Sequence, residues 1–205
     1  MNKALTLRIA RAFLSLSIAG IIIGFFFPYD LYLAVFLFLL LVFRIYQESD
    51  KNLFSTNGKI LIAGTVLSGL LGSFAEIWGI SNNYWEYHNL DNNRHFPYWL
   101  PFAWALTFSF FYKLERDILK ITNTISLKSK LIFVVLVSAI FPTWGEIITI
   151  NLGVWTYYWD YQFFGVPLLA IFLLVVFHTF IFILFTLICK KYKISNPVFN
   201  FVLTK

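Results

Sequence analysis

Charge is scarce in this chain: Asp, Glu, Lys and Arg make up 13% of it, about half the share in an ordinary soluble domain. Too little polar surface is left to wrap a water-facing globule. With 60% hydrophobic residues and a mean hydropathy of +0.75, the composition points to a chain that lives in lipid. Cysteine is scarcer still. Cys189 stands alone, so no internal disulfide can form and no cysteine–histidine set suggests zinc. No His-x-x-His, His-x-x-x-His or Asp-Asp-x-x-Asp array occurs, which argues against di-iron chemistry and against aspartate-rich diphosphate binding. A glycine-rich phosphate loop, a nucleotide fingerprint and a Ser-His-Asp order are missing too, as are low-complexity segments and linkers. The expectation is one compact membrane domain over residues 1–205, working without metal or cofactor and without nucleic acid.

What is present is apolar runs. A spanning helix needs about 20 mostly apolar residues, and six candidates occur: Ile9–Phe27, Asp30–Ile45, Lys59–Ile80, Phe96–Tyr112, Lys130–Leu152 and Phe164–Cys189. The second and fourth are short. The first two could instead form a tight, partly re-entrant hairpin at Pro28-Tyr29-Asp30. Lys3, Arg8 and Arg11 ahead of the first run resemble a signal peptide, but Phe25-Phe26-Phe27-Pro28 is no small-residue cleavage site, so the run reads as a retained anchor. Every lysine and arginine except Arg94 lies at the N-terminus, around the second and fourth loops, or in the tail. By the positive-inside rule both termini are expected in the cytoplasm, and loop charge and length fit a bacterial inner membrane. The net charge of +6 is then a topology signal. The opposite loops, near Asp30 and over 81–95 and 153–163, are rich in Trp, Tyr and Asn, and Trp and Tyr favour the headgroup level.

Within this frame one skeleton of residues occurs twice. Glu76, Trp85, Tyr87 and Pro97 are spaced 9, 2 and 10 positions apart, and so are Glu146, Trp155, Tyr157 and Pro167. The expected fold is therefore all-α: a polytopic bundle of about six transmembrane helices, with an N-terminal hairpin over 1–58 and an internal parallel repeat of two hairpins, 59–112 and 130–189. Each glutamate falls inside an apolar run, near its loop end. A carboxylate in hydrocarbon is costly and marks a functional site by default. The plainer alternative is helix glue, and two matched positions favour function. Gly64, Ser68 and Gly72 stand four apart on the face of Glu76, so a close approach of the fifth helix, through Ser138, Pro142 and Glu146, is expected. Two carboxylates brought together in low dielectric cannot both ionise easily. One kept protonated could then act as a proton donor. Glu76 and Glu146 are the candidate catalytic pair.

The aromatic residues Trp85, Tyr87, Trp155, Tyr157 and Trp159 are read as candidate substrate contacts, able to stack on a flat apolar chain or to steady a cation. As an interface belt they would need no further role. Asp160 is placed over Glu146 as the counterpart of the polar loop over Glu76. That loop, His88, Asn89, Asp91, Asn92, Asn93, Arg94 and His95, reads first as a solvated cap and second as a gate. His178 sits inside the sixth run and reads as a neutral histidine bonded across helices, with proton relay or metal binding as the sharper alternative.

Glu76-Ile77-Trp78-Gly79, followed by Trp85-x-Tyr87 and Phe96-Pro97, resembles the small multi-span proteins of carotenoid biosynthesis: the carotenoid hydratases of the bacterioruberin pathway and, more distantly, the membrane-type lycopene cyclases. Gly145-Glu146, Gly153-Val154-Trp155-Thr156-Tyr157 and Gly165-Val166-Pro167 look similar. The likeness covers residues 72–112 and 142–180, and the Pro-x-Glu-Glu motif of the cyclases does not occur. The resemblance implies that Glu76 and Glu146 protonate a polyene double bond or guide water onto it. Three function classes follow. The leading one is an intramembrane acid–base enzyme of hydration or cyclisation type, acting on an apolar lipid, isoprenoid or carotenoid. Its rivals are a small transporter or proton-coupled carrier using the same acids, with homo-oligomerisation supplying a pathway, and a structural or assembly subunit.

Overall fold

The computed structural model describes residues 3–90, 94–124 and 126–200. Among them helices dominate: α1 (Lys3–Phe26), α2 (Asp30–Glu48), α3 (Thr56–Ser81), α4 (Leu100–Thr122), α5 (Leu127–Asn151) and α6 (Leu168–Lys191). Four stretches are long and apolar enough to cross a membrane: Lys3–Glu48, which holds both α1 and α2, then Thr56–Ser81, Leu127–Asn151 and Leu168–Lys191. Large side chains such as Leu14, Phe25, Phe36, Leu70, Ile132, Phe172 and Phe180 are exposed along them.

Local chemistry sets the helix ends. Ser55 and Ser126 cap α3 and α5, accepting the Gly58 and Ser129 amides at 3.0 and 3.2 Å. Asn123 closes α4 in the left-handed conformation. A single 3-10 turn, Phe27–Tyr29, separates α1 from α2. Contacts at both ends show that these two helices run in opposite directions. Gly20 and Gly24 of α1 lie against Ile148 and Leu152 near the end of α5, and Arg8 pairs with Asp117 near the far end of α4. Asp30, at the start of α2, holds Arg94 and accepts the Tyr98 and Trp99 amides ahead of α4. Glu48, at its end, takes Lys113 at 2.6 Å and Arg116 at 2.8 Å. The bundle therefore has a basic end and an aromatic end, and the sequence repeat falls at the aromatic one.

Two expectations are corrected. The fourth helix is not a short run ending at Tyr112 but continues to Thr122. The basic stretch taken as a loop stays helical because Glu48 and Asp117 compensate Lys113, Arg116 and Arg8. This helix is the buried post of the bundle, with Ala105, Phe108, Phe111, Tyr112, Leu114 and Ile118 all enclosed. Second, the small-residue face of α3 receives α4 rather than α5. A methyl group on Gly64 would sit 2.0 Å from the Phe108 ring, and one on Gly72 2.3 Å from Trp104. The glycines are sockets for aromatic rings of the neighbouring helix in the chain.

Short strands stitch the aromatic end, a feature the apolar-run reading did not anticipate. β1 (Trp85–Tyr87) pairs antiparallel with β2 (Trp155–Tyr157), in the register Trp85↔Tyr157 and Tyr87↔Trp155. β3 (Gln162–Phe163) and β4 (Val166–Pro167) form a hairpin around Phe164-Gly165. Both turn residues have positive φ, as a two-residue type I′ turn demands. At the basic end, Lys130 donates to the carbonyls of Pro197, Val198 and Asn200, and Asn196 donates to the Tyr112 hydroxyl, so residues 196–200 plug the bundle.

Candidate functional site

The β1–β2 pairing brings the two copies of the skeleton face to face. Glu76 lies one turn from the end of α3 and faces back into the bundle, and β1 folds over it. Its Oε2 accepts the Trp85 indole N–H at 2.8 Å and the Tyr87 hydroxyl at 3.0 Å; its Oε1 accepts the Trp104 N–H at 3.0 Å. Gly79 makes this possible, since a methyl group there would sit 1.9 Å from the Trp85 ring. On α5, Glu146 takes the equivalent tyrosine: Tyr157 donates to its Oε2 at 3.2 Å. Equivalence ends there. Among the described residues its Oε1 accepts no hydrogen bond, and the buried Trp155 N–H reaches neither acid, lying instead beside the Tyr157 hydroxyl without a well-formed hydrogen bond. The position matching Trp104 in the 70-residue offset is Leu174, which has no N–H to give.

The rings interlock across the two halves. Trp85 meets Tyr157 edge-on at 5.6 Å, and Tyr87 packs on Trp155 at 5.6 Å and on Trp99 at 6.0 Å. Trp159 stacks on Tyr157 at 6.3 Å and touches Tyr84 and Trp85. Both phenols are pushed well above the ordinary range, first by burial and then by the charges of Glu76 and Glu146, each of which reaches both rings. The tyrosines therefore remain hydrogen-bond donors, and the two acids share one aromatic enclosure.

This geometry distinguishes the two carboxyl groups. Three donors converge on Glu76, and an ionised carboxylate, which only accepts, satisfies them all. Glu146 meets one donor and has an oxygen left over, so it can carry a proton and give it away.

The structure brings together Glu76, Glu146, Trp85, Tyr87, Trp155, Tyr157 and Trp159. Asp160 is different: it is exposed and makes none of the described side-chain contacts, so it does not cover Glu146. In the polar loop, His88 pairs with Thr156 at 2.9 Å and Arg94 with Asp30, which pins the loop down; Asp91, Asn92 and Asn93 lie outside the described residues. His178 is bonded across helices, its Nε2 lying 2.7 Å from Oε1 of Glu115 on α4. Sequence reasoning missed Trp99, Trp104 and Glu115. For Trp104 a signal existed: Gly72 and Gly79 flank Glu76 on one helical face, and two missing side chains beside a buried acid leave room for rings. Glu115 was obscured by its charged neighbours, which made its helix look like a loop. Comparison with protein-family models, with curated proteins and with solved structures gave no match to this chain.

Proposed function

We propose that this protein is an intramembrane acid–base enzyme acting on an unsaturated apolar chain, of isoprenoid or carotenoid type, as the resemblance noted above implies. In this reading the bundle crosses a bacterial inner membrane six times, with the basic end and both termini in the cytoplasm, and the two halves are repeats of one hairpin. The observation that carries it is the unequal pair of acids under a common cage of rings: Glu146 open and able to give a proton away, Glu76 held by three donors.

The chemistry balances without a cofactor. Glu146 gives its proton to one carbon of a C=C bond, and the positive charge appears on the other carbon. The faces of Trp155 and Tyr157 and the Glu76 carboxylate steady that cation; cation–π contact supplies about 0.5–2 kcal/mol. Attack by a second double bond of the substrate closes a ring, and loss of a neighbouring proton to Glu146 completes it. Capture by water instead gives an alcohol, and the released proton returns to Glu146. General acid–base groups typically contribute about 10²–10⁴-fold, so Glu146→Gln loses turnover by that factor. Mass spectrometry of lipid retained on the purified protein tests the substrate class: a bound polyene or prenyl chain supports it, and ordinary phospholipid alone counts against it. Infrared spectroscopy tests the assignment of roles. One protonated-carboxyl band is expected to be lost in Glu146→Gln and kept in Glu76→Gln; the reverse pattern would overturn the assignment.

A further inference from the structure

A second acid lies deeper in the bundle, and the chemistry above does not use it. Glu115 is 2% exposed and His178 8% exposed, yet their side chains meet at 2.7 Å between α4 and α6. A cavity of about 20 Å³ touches the His178 side of the pair. That is room for about one water. Ser68, Thr107 and His178 are its polar lining, and Trp104, whose indole N–H is held by Glu76, forms part of the wall. The cavity thus lies between the aromatic cage and the buried pair.

The surroundings suit a titrating pair rather than a structural ion pair. On α4 the Phe111 ring packs on the imidazole at a 4.2 Å centroid distance, while Lys113 and Arg116 are taken by Glu48. From α5, Lys130 lies within electrostatic reach of Glu115 but spends its N–H donors on carbonyls of the tail. α3 contributes the uncharged Ser68. No cation sits between the acid and the imidazole.

We propose that Glu115 and His178 form a proton-binding site separate from the glutamate pair at the aromatic end, loaded through a water in the adjoining cavity. The step is an uptake of one proton. The ring nitrogen turned away from Glu115 accepts it from the water, Nε2 passes its own proton to Oε1 of Glu115, and a neutral imidazole faces a neutral acid. The reverse sequence returns the proton. Such a site is a store and relay for protons in the bundle interior, whatever reaction the outer acids perform.

The test is histidine-selective ¹⁵N NMR of the full chain in phosphatidylcholine–phosphatidylglycerol nanodiscs, with His88→Gln and His95→Gln leaving His178 as the single signal. The expected result is a pH-dependent transfer of the His178 ring proton from Nε2 to the other nitrogen, matched by a Glu115 carboxyl band that appears in the infrared with the same midpoint. Glu115→Gln moves the histidine midpoint, and Ser68→Val, which narrows the cavity, slows exchange of the imidazole proton several-fold. A His178 signal that keeps one charge and tautomer throughout, or a midpoint indifferent to Glu115→Gln, overturns the proposal. Should Glu115→Gln fail to fold, His178→Gln carries the test through the Glu115 band, which must then lose its former midpoint; an unchanged midpoint overturns it. Glu146→Gln leaves every one of these readings in place, so the outcome is independent of the enzyme proposal.

Discussion

Replacing each glutamate by glutamine should have opposite consequences in the two halves, and the hydrogen bonds say by how much. Glu76 accepts from three donors, two on Oε2 and one on Oε1. Glutamine has one acceptor oxygen. If that oxygen keeps Trp85 and Tyr87, the amide nitrogen faces the Trp104 N–H, donor against donor. A hydrogen bond to a charged group contributes about 1.5–3 kcal/mol, and a buried donor left without a partner costs about 1–3 kcal/mol. These overlap, so a loss of about 2–4 kcal/mol is expected for Glu76→Gln. At about 2–4 °C per kcal/mol for a chain of this size, Tm falls by roughly 5–15 °C. Glu146 has only the Tyr157 hydroxyl to satisfy, which the glutamine oxygen does equally well. Glu146→Gln should therefore stay within about 0.5 kcal/mol of the parent, as surface-like changes do. Thermal unfolding in a mild detergent, followed by tryptophan fluorescence, separates the two. If Glu146→Gln is destabilised as much as Glu76→Gln, Glu146 is helix glue and the division of roles is wrong.

Three further expectations rest on neighbouring contacts. Trp85→Phe removes the hydrogen bond to Glu76 and should destabilise by about 1.5–3 kcal/mol, whereas Trp155→Phe removes an N–H that reaches no carboxylate and has only the Tyr157 hydroxyl beside it, and should cost clearly less by the same unfolding assay; equal losses would refute the asymmetry. Gly79→Ala forces a methyl group into the Trp85 ring and should cost about 1–3 kcal/mol, with a red shift of tryptophan emission as the ring leaves its socket; an unshifted spectrum would show the socket to be slack. Tyr87 and Tyr157, buried beside two acids, should resist ionisation beyond the usual phenol value of about 10, so the Tyr87→Phe, Tyr157→Phe double variant should leave the lower part of the alkaline ultraviolet titration unchanged and remove only its latest portion.

Much of this arrangement was legible in the sequence, for reasons that are themselves physical. Apolar runs announce helices because lipid leaves the backbone no other partner. The doubled Glu–Trp–Tyr spacing marked the place but not the contact: 9 and 11 positions carry the chain from the last turns of a helix through a tight connection and back over the acid, and Tyr87 and Tyr157 both return to the glutamate eleven residues before them. What failed was inference from one residue class alone. Lys113 and Arg116 looked like a loop because their chief counter-charge, Glu48, is distant in sequence. The small residues of α3 looked like a helix–helix seam, but glycine gives room equally to a backbone or to a ring, and spacing does not say which. Asp160 was read by analogy with a polar loop whose partners, Asp30 and Thr156, the analogy lacked.

The unequal site follows from two linked positions outside the shared skeleton. In the first half Gly72 is a socket, and Trp104 fills it and reaches Glu76. Seventy residues on, the socket position is Pro142 and the ring position is Leu174, and both line the small cavity above His178. Proline carries the bulk that glycine omits, so an indole would not fit beside it, and leucine is what the space admits. The same pair of changes therefore frees an oxygen of Glu146 and leaves a water-sized space next to the buried histidine. Restoring the ring with Leu174→Trp alone should overpack the core by about 1–3 kcal/mol without reaching Glu146. Combined with Pro142→Gly it should give Glu146 a second donor, remove its protonated-carboxyl band and abolish turnover while the fold persists. A double variant that still turns over at the parent rate, with the indole seated on Glu146, would show that the open oxygen is not the source of the proton.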